Sequence, residues 1–164
     1  MKNFTRFSLL AAVVATLSTL SVSAIAATAT GTANATVLTP ITITAGTALN
    51  FGTLSGNATG GTVVVTAAGV RTTTGSAVVT SGAFSAGAFA LTGSGGASFG
   101  VTYPASFNVT SGGNTMAVLV NGAPTGTLSA AGSVTFPVGG ILTVGANQIA
   151  GNYTGTYVMT VEYN

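Results

Sequence analysis

GNYTGTYVMTVEYN, residues 151–164, alternates with hardly a break. Tyr153, Gly155, Tyr157, Met159, Val161 and Tyr163 share one parity, and Thr154, Thr156, Val158, Thr160 and Glu162 share the other. Successive side chains of an extended chain point to opposite faces. The odd-numbered set therefore makes an apolar, aromatic face and the even-numbered set one rich in threonine. This is a strand pattern at period two, and no apolar spacing of the helical kind competes with it.

Outward from this stretch the same period recurs in short runs bounded by Gly, Asn, Ser and Pro, which read as strands. They are Val37–Thr44, Ala48–Leu54, Thr62–Thr66, Ala77–Thr80, Ala83–Leu91, Ser98–Tyr103, Phe107–Thr110, Thr115–Val120, Ser133–Val138, Leu142–Val144 and Tyr153–Tyr163. Turn chemistry separates them at Ser55-Gly56-Asn57, Gly93-Ser94-Gly95-Gly96, Ser111-Gly112-Gly113-Asn114 and Asn121-Gly122. Many short strands joined by short turns predict an all-β fold, a β-sandwich. GTLS occurs at Gly52–Ser55 and again at Gly126–Ser129, but no repeat of fixed period appears, which argues against a solenoid.

At the other end, ATATGTANATVLTP, residues 27–40, alternates without a single charge. Ala29, Gly31, Ala33, Ala35 and Val37 would share one face of a strand, with Thr28, Thr30, Thr32, Asn34 and Thr36 on the other. Such a strand suits a tight apolar groove. It would equally serve as an ordinary first strand of the same sandwich. Pro40, which cannot donate to a ladder, marks the join to the domain beyond it.

Before it, Lys2 and Arg6 lead into the apolar run Ser8–Ile25, and Ala24-Ile25-Ala26 supplies a small-residue cleavage site. This is the pattern of a secretory signal peptide. Ser8, Thr16, Ser18, Thr19, Ser21 and Ser23 dilute the run too much for a membrane anchor, which needs about 20 apolar residues. The expectation is export, with the mature chain starting at Ala27, then a periplasmic passage and a final place outside the cell or on its surface.

Past residue 26 the charged side chains are Arg71 and Glu162 alone. Nucleic-acid affinity grows with the number of phosphates neutralised, so nucleic acid is not an expected partner, and polybasic membrane binding is equally unexpected. The same stretch holds no His, Cys, Asp, Lys or Trp. Paired-carboxylate chemistry needs two acids, a serine triad needs a base, and zinc sites need clustered Cys or His. No enzymatic activity, catalytic residue, metal or cofactor is expected. Without cysteine the domain must be held by packing, and a chain of this length can bury roughly two-thirds of its unfolded surface. A near-neutral chain also favours association.

The alternation ending at Tyr163, one residue before the last, with Gly151 fourteen residues from the end, resembles the C-terminal β-zipper motif of pilins assembled by the chaperone–usher pathway. LNFGTL, Leu49–Leu54, and AGNYTGTYVMTVEY, Ala150–Tyr163, look closer to the archaic, spore-coat-U-like branch. VLTPITI near the start and FPVGGILTVGANQ before the last strand also resemble an uncharacterised family of secreted bacterial β domains. The likeness is best at both ends and only patterned across residues 60–130. Many pilins carry a disulfide, which is absent here, and the candidate donor side chains are smaller than usual.

The pilin resemblance implies an all-β, immunoglobulin-like β-sandwich that is incomplete, its groove filled by the N-terminal extension of the next subunit, a form of β-strand addition. It divides the chain into a signal peptide at 1–26, a candidate donor strand at 27–40 and a pilin-like domain at 41–164. It makes Ala29, Gly31, Ala33, Ala35 and Val37 the donor residues. Gly151, Tyr153, Tyr157, Met159, Val161 and Tyr163 become the C-terminal assembly strand. The function implied is a structural subunit of an extracellular pilus or fimbria serving adhesion or biofilm formation. Its partners would be copies of itself, a periplasmic chaperone and an outer-membrane usher, with only transient membrane contact during export. About ten backbone hydrogen bonds at roughly 0.5–1.5 kcal/mol each would give a docked strand on the order of 10 kcal/mol.

Three other readings compete. A non-polymerising surface or adhesin module would tuck the first strand into its own sheet. An outer-membrane β-barrel needs segments of about ten residues with lipid-facing sides and aromatic girdles, and Tyr153–Tyr163 alone qualifies. An ice-binding threonine array needs regular stacking at about 4.8 Å, whereas Thr28-Ala29-Thr30, Thr42-Ile43-Thr44 and Thr154-Gly155-Thr156 are irregularly spaced. Asn-x-Thr occurs at Asn34, Asn57, Asn108 and Asn152, as chance allows in a threonine-rich chain. Arg71, in GVRTTTGS, reads as a loop or edge residue.

Overall fold

The computed structural model describes residues 25–164. The expected leader, apart from Ile25 and Ala26, lies outside the described residues. The chain divides into two compact units, Met1–Ala35 and Thr36–Asn164. In the first, residues 25–35 are exposed and form no strand.

Thr36–Asn164 is an all-β sandwich of antiparallel strands that do not close into a barrel, and the described residues contain no helix. Its leading edge is β1 (Thr42–Ala45) and β2 (Thr53–Ser55), which run as one interrupted strand. β1 pairs with β6 (Gly87–Thr92) and β2 with β5 (Val78–Ser81). An isolated bridge between Asn50 and Ser85 carries the pairing across the gap. Residues 42–55 thus lie antiparallel along residues 78–92. The alternation of Val37–Leu54 is legible in this edge, but residues 37–41 stay outside the ladder. β2 begins only after Gly52, whose φ of 85° no ordinary strand residue adopts.

The main sheet runs β1-β6-β11-β3-β4, with β3 at Gly61–Val65, β4 at Arg71–Gly75 and β11 at Ser133–Val144; β9 (Asn114–Gly122) joins β11, and β8 (Ser106–Ser111) joins β9. β8 and β9 form a hairpin whose two turn residues, Gly112 and Gly113, have φ of 54° and 84°. A two-residue loop matching the strand twist needs positive φ at both places, and glycine supplies it without strain. The smaller sheet has β7 (Ser98–Thr102) at its centre, flanked by β10 (Thr125–Thr127) and β12 (Thr160–Tyr163).

β11 organises both halves. Ser133–Val138 pair with β6, and Gly140–Val144 pair with β3 along the same edge, while Val138–Leu142 pair with β9 along the other. Sequence reading splits this element at Gly139-Gly140; the structure makes it one strand of 12 residues. The glycines are there because the neighbours come too close for a side chain. A Cβ on Gly139 would stand 2.6 Å from the carbonyl oxygen of Val65, and one on Gly140 would stand 2.8 Å from the tip of Leu49. Parity holds except at the crossing, with Phe136, Val138, Leu142 and Val144 buried and Ser133, Thr135 and Thr143 exposed, while Gly139 is buried out of turn and Ile141 is half-buried.

The two ends of β11 serve two apolar clusters. Leu91, Phe99, Val101, Leu128, Phe136, Val138 and Met159 form one, covered by Ile41, Ile43, Val161 and Tyr163 among others. Val63, Ala77, Met116, Val118, Leu142 and Val144 form the other, with Leu49, Phe51, Leu54, Phe107, Val109 and Tyr153 only half-buried around it. Half-buried side chains rim both clusters, and those of the second line an opening.

Candidate functional site

The opening is a groove of about 1110 Å³. One wall is Ala45–Gly56 and the other is Gln148–Tyr157, while Phe89, Phe107, Val109, Met116, Leu142 and Val144 line the space between. The first wall is the leading edge, whose strand partners lie on its far side in residues 78–92. The second wall is held to β8 from behind: Thr110 N–H donates to Thr154 O at 2.8 Å and Thr154 N–H to Thr110 O at 3.1 Å. Among the described residues no strand pairing spans the groove. Two extended walls therefore flank an apolar floor.

Each end is closed differently. At one end Asn147 N–H donates to Asn57 O at 2.7 Å, joining the walls where they meet. At the other, Tyr157 stacks on Phe107 with centroids 5.0 Å apart and meets Phe89 edge-on at 5.9 Å. Such offset and edge-to-face pairs add about 0.5–1.5 kcal/mol beyond area burial. Burial raises the Tyr157 phenol above its usual 10.0, because the anion would lose water there. Past Tyr157 the same extended segment packs Met159, Val161 and Tyr163 onto the first cluster.

The first wall is shaped by its own turn. Gly52 N–H donates to Asn50 Oδ1 at 2.9 Å, and the Arg71 guanidinium donates to Phe51 O at 3.1 Å while lying 4.2 Å from the centroid of the Phe84 ring. Arg71 is thus a strut behind the wall, a role its position in a polar run does not announce. The run itself, Arg71–Gly75, is the edge strand β4, which sequence reading misses because RTTTG has no alternation to read. β10 escapes it for its brevity.

The residues singled out from sequence fall in two places. Ala29, Gly31, Ala33 and Ala35 are exposed and in no strand, and nothing lies within 4 Å of where a Gly31 Cβ would stand. Val37 is 94% exposed. The C-terminal set lies along one extended segment that is a regular strand only at Thr160–Tyr163. Burial nonetheless keeps the expected parity, with Tyr153, Tyr157, Met159, Val161 and Tyr163 inward and Val158 75% exposed. Tyr153 accepts from Gln148 Nε2 and donates to Ile149 O, both at 2.7 Å, which fixes it on the second wall. Gly151 sits against Ser111, where a Cβ would collide with the serine side chain.

Residues 41–163 match the model of a domain family of unknown function, DUF4402, and the chain belongs to that family. Neither a curated protein nor a solved structure was found to be similar to it.

Proposed function

We propose that this member of the DUF4402 family is the structural subunit of an extracellular pilus or fimbria that polymerises by donor-strand exchange and serves adhesion or biofilm formation. The observation that supports it best is the groove between Ala45–Gly56 and Gln148–Tyr157, where Leu49, Phe51, Leu54, Phe107, Val109 and Tyr153 stay half-buried within one copy. Large apolar side chains left half-exposed together in one groove favour association. The occupant we infer is residues 27–38 of a second copy, with Ala29, Gly31, Ala33, Ala35 and Val37 turned to the floor. That segment alternates, carries no charge and enters no strand in its own chain. A docked strand would take backbone hydrogen bonds from the walls and would bring no charge to desolvate.

On this reading the chain is exported through its leader, kept soluble in the periplasm by a chaperone covering the groove, and passed to an usher. Tyr153, Tyr157, Met159, Val161 and Tyr163 serve assembly by holding the second wall in place. The proposal invokes neither catalysis nor a cofactor. Electron microscopy and size-exclusion chromatography of the purified chain from Ala27, over rising concentration, test it. Filaments or a ladder of oligomers support it; a monomer at every concentration, with no filaments on cells that export the chain, contradicts it and favours a non-polymerising surface module.

A further inference from the structure

The chain changes character abruptly at Thr39. Val37 is 94% and Leu38 45% exposed, with no strand partner, whereas Thr39 is gripped through both its backbone N–H and its carbonyl. Its N–H donates to Ser94 Oγ at 2.7 Å, and its carbonyl accepts from the Tyr163 hydroxyl at 2.6 Å. Ser94 N–H in turn donates to that same hydroxyl at 2.7 Å. Three residues far apart in sequence thus close a triangle of hydrogen bonds. Pro40 comes next, with φ fixed by its ring.

We propose that Tyr163 is a positioning residue for the N-terminal segment: with Ser94 it clamps Thr39 and sets the direction in which the preceding chain leaves the sandwich. The Tyr163 ring packs against the first cluster, so its hydroxyl is anchored by the core and can hold Thr39 still. A phenylalanine would keep the ring contact and lose both hydrogen bonds, so packing and clamping are separable. The consequence rests on the filament reading: a docked segment joins two subunits, and a rigid exit at Thr39 makes that joint stiff, whereas a loose one makes it a hinge. The clamp ties the N-terminal exit to a properly seated β12, so a copy whose final strand is displaced would also lose the set direction of its segment.

The test uses the chain from Ala27 with Tyr163→Phe and, separately, Ser94→Ala. Hydrogen exchange is followed at the Thr39 amide. Spin labels on Val37→Cys and Thr135→Cys, unique sites in a cysteine-free chain, report the distance distribution across the exit. The Thr39 amide does not touch Tyr163, yet the clamp predicts that Tyr163→Phe speeds its exchange roughly 2- to 10-fold. It also predicts a broader distance distribution in both variants, with the thermal midpoint of Tyr163→Phe lowered by only a few degrees because the ring stays packed on the first cluster. Unaltered exchange and a distribution as narrow as in the parent would overturn it, as would a parent distribution already as broad as the variants'. These readouts need no polymer: should the chain prove monomeric, the filament reading fails while the clamp is judged on its own result.

Discussion

The ring of Tyr157 stacks on that of Phe107 at a centroid distance of 5.0 Å, at the point where the sandwich stops being closed. Beyond it Met159, Val161 and Tyr163 cover one cluster; before it the walls part over the other. Tyr157→Ala should remove this boundary and cost about 2–3 kcal/mol, less than the ~3–5 kcal/mol of a fully buried aromatic because the ring is half-exposed. Urea denaturation measures it. A change below about 0.5 kcal/mol would show that the stack carries no weight.

The same residue gives the domain a defined alkaline sensitivity. Burial raises the Tyr157 phenol in the folded state, while the unfolded phenol titrates near 10. Above about pH 10 the folded state holds more protons than the unfolded one, so stability falls as pH rises; below it the Tyr157 contribution is flat. Tyr157→Phe should match the parent at about pH 8 and lose less stability between about pH 10 and 12. Parallel losses in the two proteins would contradict this.

Gly139 and Gly140 should respond differently to alanine. At Gly139 the new Cβ meets backbone, Val65 O at 2.6 Å and Ala67 N at 2.7 Å, which cannot yield. At Gly140 it meets the ends of Leu49, Phe51 and Val118, which can shift. Gly139→Ala is expected to cost about 3 kcal/mol and Gly140→Ala about 1 kcal/mol. The reverse order in thermal or urea unfolding would refute the account of the strand crossing.

Arg71→Met should loosen the first wall by removing the hydrogen bond to Phe51 O and the contact with Phe84. The expected loss is about 1–2 kcal/mol, and it should shrink by less than half in high salt because a cation over a ring is screened less than an exposed ion pair. Denaturation of parent and variant at low and high salt is the measurement.

Much of this architecture is legible because a half-buried strand writes its face into every second residue. Tyr153–Tyr163 keeps its parity even where the ladder lapses, since burial, not pairing, sets it. β11 reads as two strands because a glycine pair looks like a turn, whereas here it admits close neighbours. β4 and β10 leave no signal, one being polar on both faces and the other three residues long. The groove is out of reach in a different way. Its walls lie some hundred positions apart, at Ala45–Gly56 and Gln148–Tyr157, and their separation results from how β8 and residues 78–92 hold them from behind. Ser94 and Arg71 act through single hydrogen bonds to distant backbone groups, which no local pattern records.

The groove and the N-terminal segment meet in one experiment. A chain lacking residues 27–38 is titrated with a synthetic peptide of that sequence, by calorimetry and by thermal unfolding, with Val109→Asp in the groove as control. The account predicts a one-to-one complex that raises the unfolding midpoint and is weakened at least about 100-fold by the buried aspartate. It is contradicted if the intact chain is a heat-stable monomer and the shortened chain simply unfolds, with no rescue by the peptide in trans.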